Sequence, residues 1–387
     1  MNIDTADLVV VGAGFYGATI AERAAAEGFR VAVVEKRNHI GGNAFTYVDD
    51  ATGIEVHKYG PHIFHTSSRE IFDYLSRFTE WTPYEHRTWT TAKGRVYPLP
   101  INLATISLFN DRAMSPAEAR AWVAANAGGI AEPANLEEKA ISLIGRPLYE
   151  TFIRGYTMKQ WQTDPRELPA DIIARLPVRY TFDNRYFNDA YQAMPKDGYT
   201  PIFARMLASP NIELLLGCDW HEIAPARPAA PVVYTGPIDR YFGRRLGALG
   251  WRTIDLHLET HEGDFQGCPV MNYADAEIPF TRISEFRHFQ PQRPCGDQTL
   301  IAREFSRSAG PDDEPYYPVN LAADKALLRS YRALAATEAG VLFGGRLGSY
   351  RYLDMHQAIG AALTAWRRHL QPHLQAGVPL RPMADEA

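Results

Sequence analysis

The first apolar run is unbroken. Leu8-Val9-Val10-Val11 has no polar position, the pattern of a parallel strand covered on both faces. It leads into Gly12-Ala13-Gly14-Phe15-Tyr16-Gly17, then an alanine-rich stretch to Ala26 that favours helix. Gly28 stands where such a helix stops. Arg30-Val31-Ala32-Val33-Val34 predicts a second strand, closed by Glu35. Farther on, Ser115-Pro116-Ala117-Glu118 is a capping box with proline at the first helical position. Asn135-Leu136-Glu137-Glu138 is another helix start, so two or three short helices are expected over 100–160. Beyond these, 178–182, 212–216, 232–236, 252–258 and 299–305 read as strands, with Pro-rich loops at 224–231 and 311–318. There is no repeat and no low-complexity tract.

The glycine spacing has a physical reading. Gly12 permits a tight turn, Gly14 lets backbone approach a pyrophosphate, and Gly17 lets helix pack on strand. The helix then points its unpaired N–H groups at the phosphates. Glu35 ends the second strand, where a carboxylate accepts from a ribose 2′-hydroxyl and would repel a 2′-phosphate. This predicts dinucleotide binding; a glycine-rich turn in some other α/β sheet is the bland alternative.

Composition narrows the class. The 387 residues suffice for two or three structural units. A net charge of −5 gives no basic face for nucleic acid. The 20 tyrosines and 7 tryptophans exceed what a core needs and suggest a large, wet ligand site. Three scattered cysteines, Cys218, Cys268 and Cys295, offer neither a disulfide framework nor a zinc ribbon. With an acidic N-terminus and a longest apolar stretch (8–21) too short to span a bilayer, a cytoplasmic protein without membrane insertion is expected. His62 and His65 pair with His57 nearby, but no cysteine or further spaced ligand supports a metal and Gly60-Pro61 puts the stretch at a turn, so no metal is expected.

Two features favour FAD over NAD. Gly41-Gly42-Asn43 follows the second strand, and Val232-Val233-Tyr234-Thr235-Gly236 is a buried strand ending in Thr-Gly. Both resemble the FAD-binding half of glutathione-reductase-type and amine-oxidase-type flavoproteins. Tyr156, Trp161, Arg175, Arg179, Tyr180, Arg185 and Tyr186 then crowd into a short span, followed by Arg282, Arg287 and His288. Arginine forks match phosphate oxygens and rings stack on a base or sugar, although surface arginines on amphipathic strands would look alike.

Longer motifs carry a closer resemblance. Gly41-Gly42-Asn43-Ala44, Tyr59-Gly60-Pro61-His62-Ile63-Phe64-His65-Thr66, Gly155-Tyr156-Thr157-Met158-Lys159-Gln160-Trp161, Asp313-Glu314-Pro315-Tyr316-Tyr317-Pro318, Phe343-Gly344-Gly345-Arg346-Leu347-Gly348 and Tyr352-Leu353-Asp354-Met355 resemble the UDP-galactopyranose mutase family over nearly the whole chain, most of all its actinobacterial members. The resemblance implies an α/β fold: a Rossmann-like FAD-binding domain of glutathione-reductase and amine-oxidase type (1–81, 187–240, 325–387), a small helical insert (100–150), and an antiparallel β-sheet substrate domain with a mobile lid (82–99, 151–186, 241–324). It implies a non-redox interconversion of UDP-galactopyranose and UDP-galactofuranose for cell-surface glycans. Reduced FAD would attack the anomeric carbon through N5, displace UDP, and allow the sugar ring to open and reclose.

Roles follow residue by residue from the same resemblance. Arg175 and Arg282 would hold the pyrophosphate, with Tyr186, Tyr317 and Tyr352. Phe152, Tyr156, Trp161 and Asn272 would form the uridine pocket, and Thr157 a further substrate contact. His86 stands beside the sugar, where many bacterial members carry asparagine. Glu35, Lys36, Asn43, His62, Ile63, Arg346, Leu353, Asp354 and Met355 would contact FAD, along with Gly12, Gly14, Phe15, Tyr16, Gly17 and Gly42; His62 joins Arg175 and Arg282 as catalytic. The loop from Gln162 to Pro177 would close over the nucleotide sugar. A homodimer is the expected assembly. An FAD oxidoreductase of amine-oxidase or desaturase type, a non-enzymatic binding protein on the same fold, and a mutase for another UDP-sugar remain the alternatives.

Overall fold

The computed structural model describes residues 3–173, 177–223, 229–293 and 295–380. The unbroken apolar runs do become buried parallel strands. Leu8–Val11 (β1) and Val31–Glu35 (β2) are buried at almost every position. They sit inside a five-stranded parallel sheet ordered Ile212–Leu216, β2, β1, Val232–Tyr234, Val341–Phe343. The chain therefore leaves this sheet twice and returns. Phe15–Ala26 (α1) packs on it through its alanines, and Met355–Ala365 packs against α1.

Two glycines set how close α1 can come. A Cβ on Gly17 would stand 1.9 Å from the Gly12 carbonyl oxygen, and one on Gly12 would meet Thr235 Oγ1 at 2.1 Å. Gly12 also has φ +105°, a region open to glycine. The contact between helix and strand is thus backbone on backbone.

A second, seven-stranded sheet runs Tyr317–Pro318, Trp251–Glu262, Gln298–Ser308, Arg282–Glu285, Val270–Tyr273, Thr88–Ala92, Arg95–Leu99. Every pairing is antiparallel except Val270–Tyr273 with Thr88–Ala92, which is parallel. Proline enters only at the rims, as sheets require. Smaller sheets join Phe64–Thr66, Tyr191–Pro195 and Trp81–Pro83, and Thr46–Val48 with Glu55–His57.

The helical insert exceeds its expectation. Leu103–Phe109, Pro116–Asn126 and Leu136–Ile144 begin at Asn102, Ser115 and Asn135, each side chain capping its helix. A further helical stretch follows, through Arg146–Leu148, a π-helical turn Tyr149–Ile153, and Arg154–Trp161. One expectation fails: 178–182 is not a strand. Val178 and Tyr180 instead pack against the insert's core, so their apolar alternation serves a loop. Of the Pro-rich loop 224–231, residues 224–228 lie outside the described residues. Among the described residues, no helix is long and apolar enough to cross a membrane.

Gly17→Ala should destabilise the fold by about 1–3 kcal/mol or more, because backbone cannot yield as a side chain can. Gly14→Ala, whose Cβ would meet only Gly42 Cα at 3.8 Å, should fold normally. Urea unfolding of the pair checks this; equal midpoints would refute it.

Candidate active site

Two cavities meet inside the molecule. The first follows the glycine-rich turn: Gly12, Gly14, Phe15, Tyr16, Gly17, Glu35, Lys36, Gly42, Asn43, His62, Arg346, Leu353 and Met355 all line it. The second, of about 400 Å³, is lined by His86, Phe152, Tyr156, Thr157, Trp161, Tyr186, Asn272, Arg282, Tyr317 and Tyr352. That size lies within the range of small-molecule sites, about 300–1,000 Å³. Asn43, His62, Arg346 and Met355 line both and mark the junction. Ile63 and Asp354, expected on the cofactor side, line the second cavity instead. Arg175 lies outside the described residues, while Ile172, Ile173, Pro177 and Val178 on either side of it line the second cavity.

The first cavity fits a dinucleotide on its own geometry. Gly42 has φ +56°, and a Cβ there would stand 3.0 Å from Gly14 Cα, so two backbones form the cradle without side chains. Each Glu35 carboxylate oxygen accepts one backbone N–H, from Ala13 at 2.9 Å and Arg37 at 3.0 Å. Each keeps a second lone pair for a ribose hydroxyl. Glu314 closes the rim through ion pairs to Lys36 (2.8 Å) and Arg37 (2.7 Å), and Arg37 also donates to Asn43.

Sheet register builds the second cavity. Glu304, Arg282, Asn272 and Thr90 stand opposite one another on four adjacent strands, and all four line the cavity. Arg282 Nε donates to Glu304 at 2.7 Å, and Glu304 is 1% exposed. Burial opposes the Arg282 charge, but Glu304, with Tyr156 and Tyr317 nearby, holds its pKa well above the ordinary arginine value. Asn272 Oδ1 is buried without a hydrogen-bond partner, an acceptor available to a ligand. Tyr317 and Tyr352 stack at 5.7 Å, and the Arg346 guanidinium lies 5.0 Å from the Tyr352 ring centre. Arg346 donates to the carbonyls of Tyr316 and Leu353, which fixes both tyrosine segments. Burial raises the phenols of Tyr156, Tyr186, Tyr317 and Tyr352, so they remain donors at neutral pH.

The histidines here are neutral. His62 Nδ1 donates to the Gly60 carbonyl at 2.8 Å, leaving Nε2 as an acceptor. His57 Nδ1 accepts the His62 backbone N–H at 3.0 Å. His86 contacts Tyr84 at 3.3 Å and Thr88 at 3.1 Å through its two ring nitrogens. Burial depresses His57 and His86 to about 3 and His62 to about 4.

Several lining residues had no assigned role in the sequence reading. Glu304 and Glu314 are carboxylates whose partners lie far away in sequence, so local spacing gave no signal. Leu136, Ala140, Leu143 and Ile144, one face of a helix that reads as ordinary core, form an apolar wall of the second cavity.

Comparison with known proteins bears on this arrangement. The family model for UDP-galactopyranose mutase matches residues 151–352, and that of an NAD(P)-binding Rossmann-like domain matches 10–78. The chain is 43% identical to a probable UDP-galactopyranose mutase of Klebsiella pneumoniae, over 92% of this chain and 93% of that protein. It is 40% identical to a dTDP-fucopyranose mutase of Escherichia coli, over 92% of this chain and 96% of that one. The crystal structure of a reduced UDP-galactopyranose mutase superposes with TM-score 0.75 at 15% identity, covering 97% of this chain and 94% of that one; this likeness concerns the fold.

The neutral histidines set a pH dependence. Unfolded histidine titrates near 6.5. Between that pH and about 4, the unfolded chain takes up protons that folded His57, His62 and His86 refuse. Stability should therefore fall as pH drops through this window, by about 1.4 kcal/mol per pH unit for each histidine. Urea unfolding across the window measures the slope. His57→Gln should make it shallower by about one proton; an unchanged slope would count against the buried neutral assignment.

Proposed function

The chain belongs to the UDP-galactopyranose mutase family, and from this we propose that it interconverts UDP-galactopyranose and UDP-galactofuranose with FAD, in reduced form, as its cofactor. The observation that carries this is the junction: a cavity built for a dinucleotide opens, at His62 and Arg346, into a cavity walled by tyrosines, a fixed arginine and a buried asparagine. An oxidoreductase acting on a small amine has no use for that second set.

When bound, reduced FAD supplies a nucleophile for the anomeric carbon. The chain's own groups do the rest. Glu35 accepts from the ribose hydroxyls, and the N-terminus of α1 faces the cofactor's phosphates. Phe152, Tyr156 and Trp161 hold the uracil, with Asn272 and Thr157 as polar contacts. Arg282, with Arg175, receives the charge that builds on the pyrophosphate as the glycosidic bond breaks; each charge-assisted contact contributes about 1.5–3 kcal/mol. Tyr186, Tyr317 and Tyr352 donate to the same oxygens and retain UDP for its return. His62, neutral with a free Nε2, accepts a proton or hydrogen bond at the junction. The apolar wall from the helical insert covers the base.

A second reading has its own support, the 40% identity to a dTDP-fucopyranose mutase. The aliphatic wall of Leu136, Ala140, Leu143 and Ile144 has carbon to offer a thymine methyl. Here the substrate would be a dTDP-6-deoxyhexose handled by the same residues.

Chromatographic assay of the dithionite-reduced protein with UDP-galactofuranose and dTDP-fucopyranose decides between them. The UDP-sugar should have the higher kcat/KM, and the oxidised protein should be inactive. Equal turnover with oxidised flavin would refute the proposal. Arg282→Ala should keep its bound flavin yet lose about 10²–10³ in rate; wild-type turnover would remove Arg282 from the pyrophosphate site.

A further inference from the structure

Where the strand Phe64–Thr66 meets the start of helix Met355–Ala365, three side chains bring ligating atoms together. Those of His65, Asp354 and His356 all lie within 4.8 Å of one another. The two imidazole rings stand 4.8 Å apart at 70°. His65 and Asp354 border the substrate cavity, whereas His356 lines neither cavity.

We propose that His65, Asp354 and His356 form a binding site for a divalent transition-metal ion of the zinc class, held by two imidazoles and one carboxylate.

Each ligand is prepared for this separately. His65 Nδ1 lies 2.7 Å from one oxygen of Asp189, and the other oxygen accepts from Ser67 Oγ at 2.7 Å. Nδ1 is therefore the donor, which leaves Nε2 as the ligating atom. A carboxylate behind an imidazole is the outer arrangement that orients metal-bound histidines and raises their basicity. His356 Nδ1 is buried with no hydrogen-bond partner. Asp354 stands at the start of its helix, where its backbone N–H donates to Gln357 Oε1 at 2.9 Å.

The contrast with Asp264, Glu285 and His288 is instructive, because those atoms also gather. There Glu285 already accepts from Phe265, Gln266 and Thr299, and His288 bonds Asp264. That group holds a loop and has little left to offer an ion. Around His65 the sequence predicts no metal, because no further ligand lies nearby in the chain. The fold brings two ligands from the far end of the chain. Zinc–nitrogen bonds of about 2.0–2.1 Å put tetrahedral ligand atoms about 3.3 Å apart. Binding must therefore draw the three inward, and His356, half-buried at a helix start, is the one with room to turn.

The test uses the flavin-loaded protein, stripped with a chelator and titrated with Zn²⁺ alone. Bound metal is counted by mass spectrometry, and Co²⁺ in its place reports coordination through visible ligand-field bands. Wild type should take one tight equivalent. His356→Ala should weaken binding about 100-fold or more, and Asp189→Asn about 10–100-fold. Melting curves without metal check that the variants fold, and His356→Gln replaces the alanine if that one does not. The absence of a tight equivalent in wild type, or its retention by the His356 variants, overturns the site. Unchanged affinity in Asp189→Asn overturns His65 as a ligand.

Discussion

A guanidinium must stay charged and aimed inside a largely buried cavity, and the Arg282–Glu304 pair is what makes that possible. Arg282 alone would lose its hydration with nothing in return. Glu304, 1% exposed and 2.7 Å away, restores the balance and fixes the direction of the fork. Such a pair is weak grounds for stability, but it orients well. Its geometry comes from strand register: the two residues stand directly opposite each other across an antiparallel ladder. A one-residue slip would turn the whole row from the cavity to the other face. The same rung continues through Asn272 to Thr90, so a single register places a cation, an amide and a hydroxyl along one wall.

The facing wall is a helix, and it is held against that sheet by two unusual cations. Buried Arg252 donates to the Gln160 carbonyl and the Gln162 side chain, satisfying the C-terminus of Arg154–Trp161. Lys159 donates to the carbonyls of Tyr273, Asp275 and Phe280, and burial lowers it to about 8. A Cβ on Gly155 would come within 2.4 Å of the Ala274 carbonyl, so the helix lies directly on the strand end. Tyr156 and Trp161 then line the cavity together with Phe152, whose ring also packs edge-on against Tyr97 and Phe109. The π-helical turn at Tyr149–Ile153, which holds Phe152 and precedes Tyr156 and Trp161, shifts the helix phase, as such turns often do at ligand sites.

Much of this was legible in the sequence, and the limits are physical. The continuous run at 8–11, the glycine spacing and Glu35 specify a parallel strand, a close helix and a ribose acceptor through local rules alone. Helix caps at Ser115 and Asn135 are equally local. The alternation at 178–182 misled, because period two signals one buried side, and a loop packed on a helical core has that too. Glu304, Glu314 and Arg252 were invisible because their meaning lies in partners across strands. Ile63 and Asp354 lay among the expected flavin contacts because their neighbours in the motif do line that cavity. Side chains alternate around an extended segment, and these two point the other way.

The electrostatics of the junction follow from what a departing nucleotide demands. As the glycosidic bond stretches, negative charge gathers on the pyrophosphate and positive charge on the sugar carbon. A protein serving that event should put fixed cations on one side and keep the other free of them. Among the described residues, Arg282 and Arg346 are the arginines that line this cavity. Arg346 is tied to two carbonyls beneath the tyrosine stack, and Arg282 to Glu304, so neither can swing toward the sugar. His62 and His86, which could carry charge, are held neutral by burial. A protonated imidazole at the junction would both repel the developing cation and compete for the phosphate oxygens. The same burial that costs stability in acid thus keeps the positive charge of this site where a leaving group needs it.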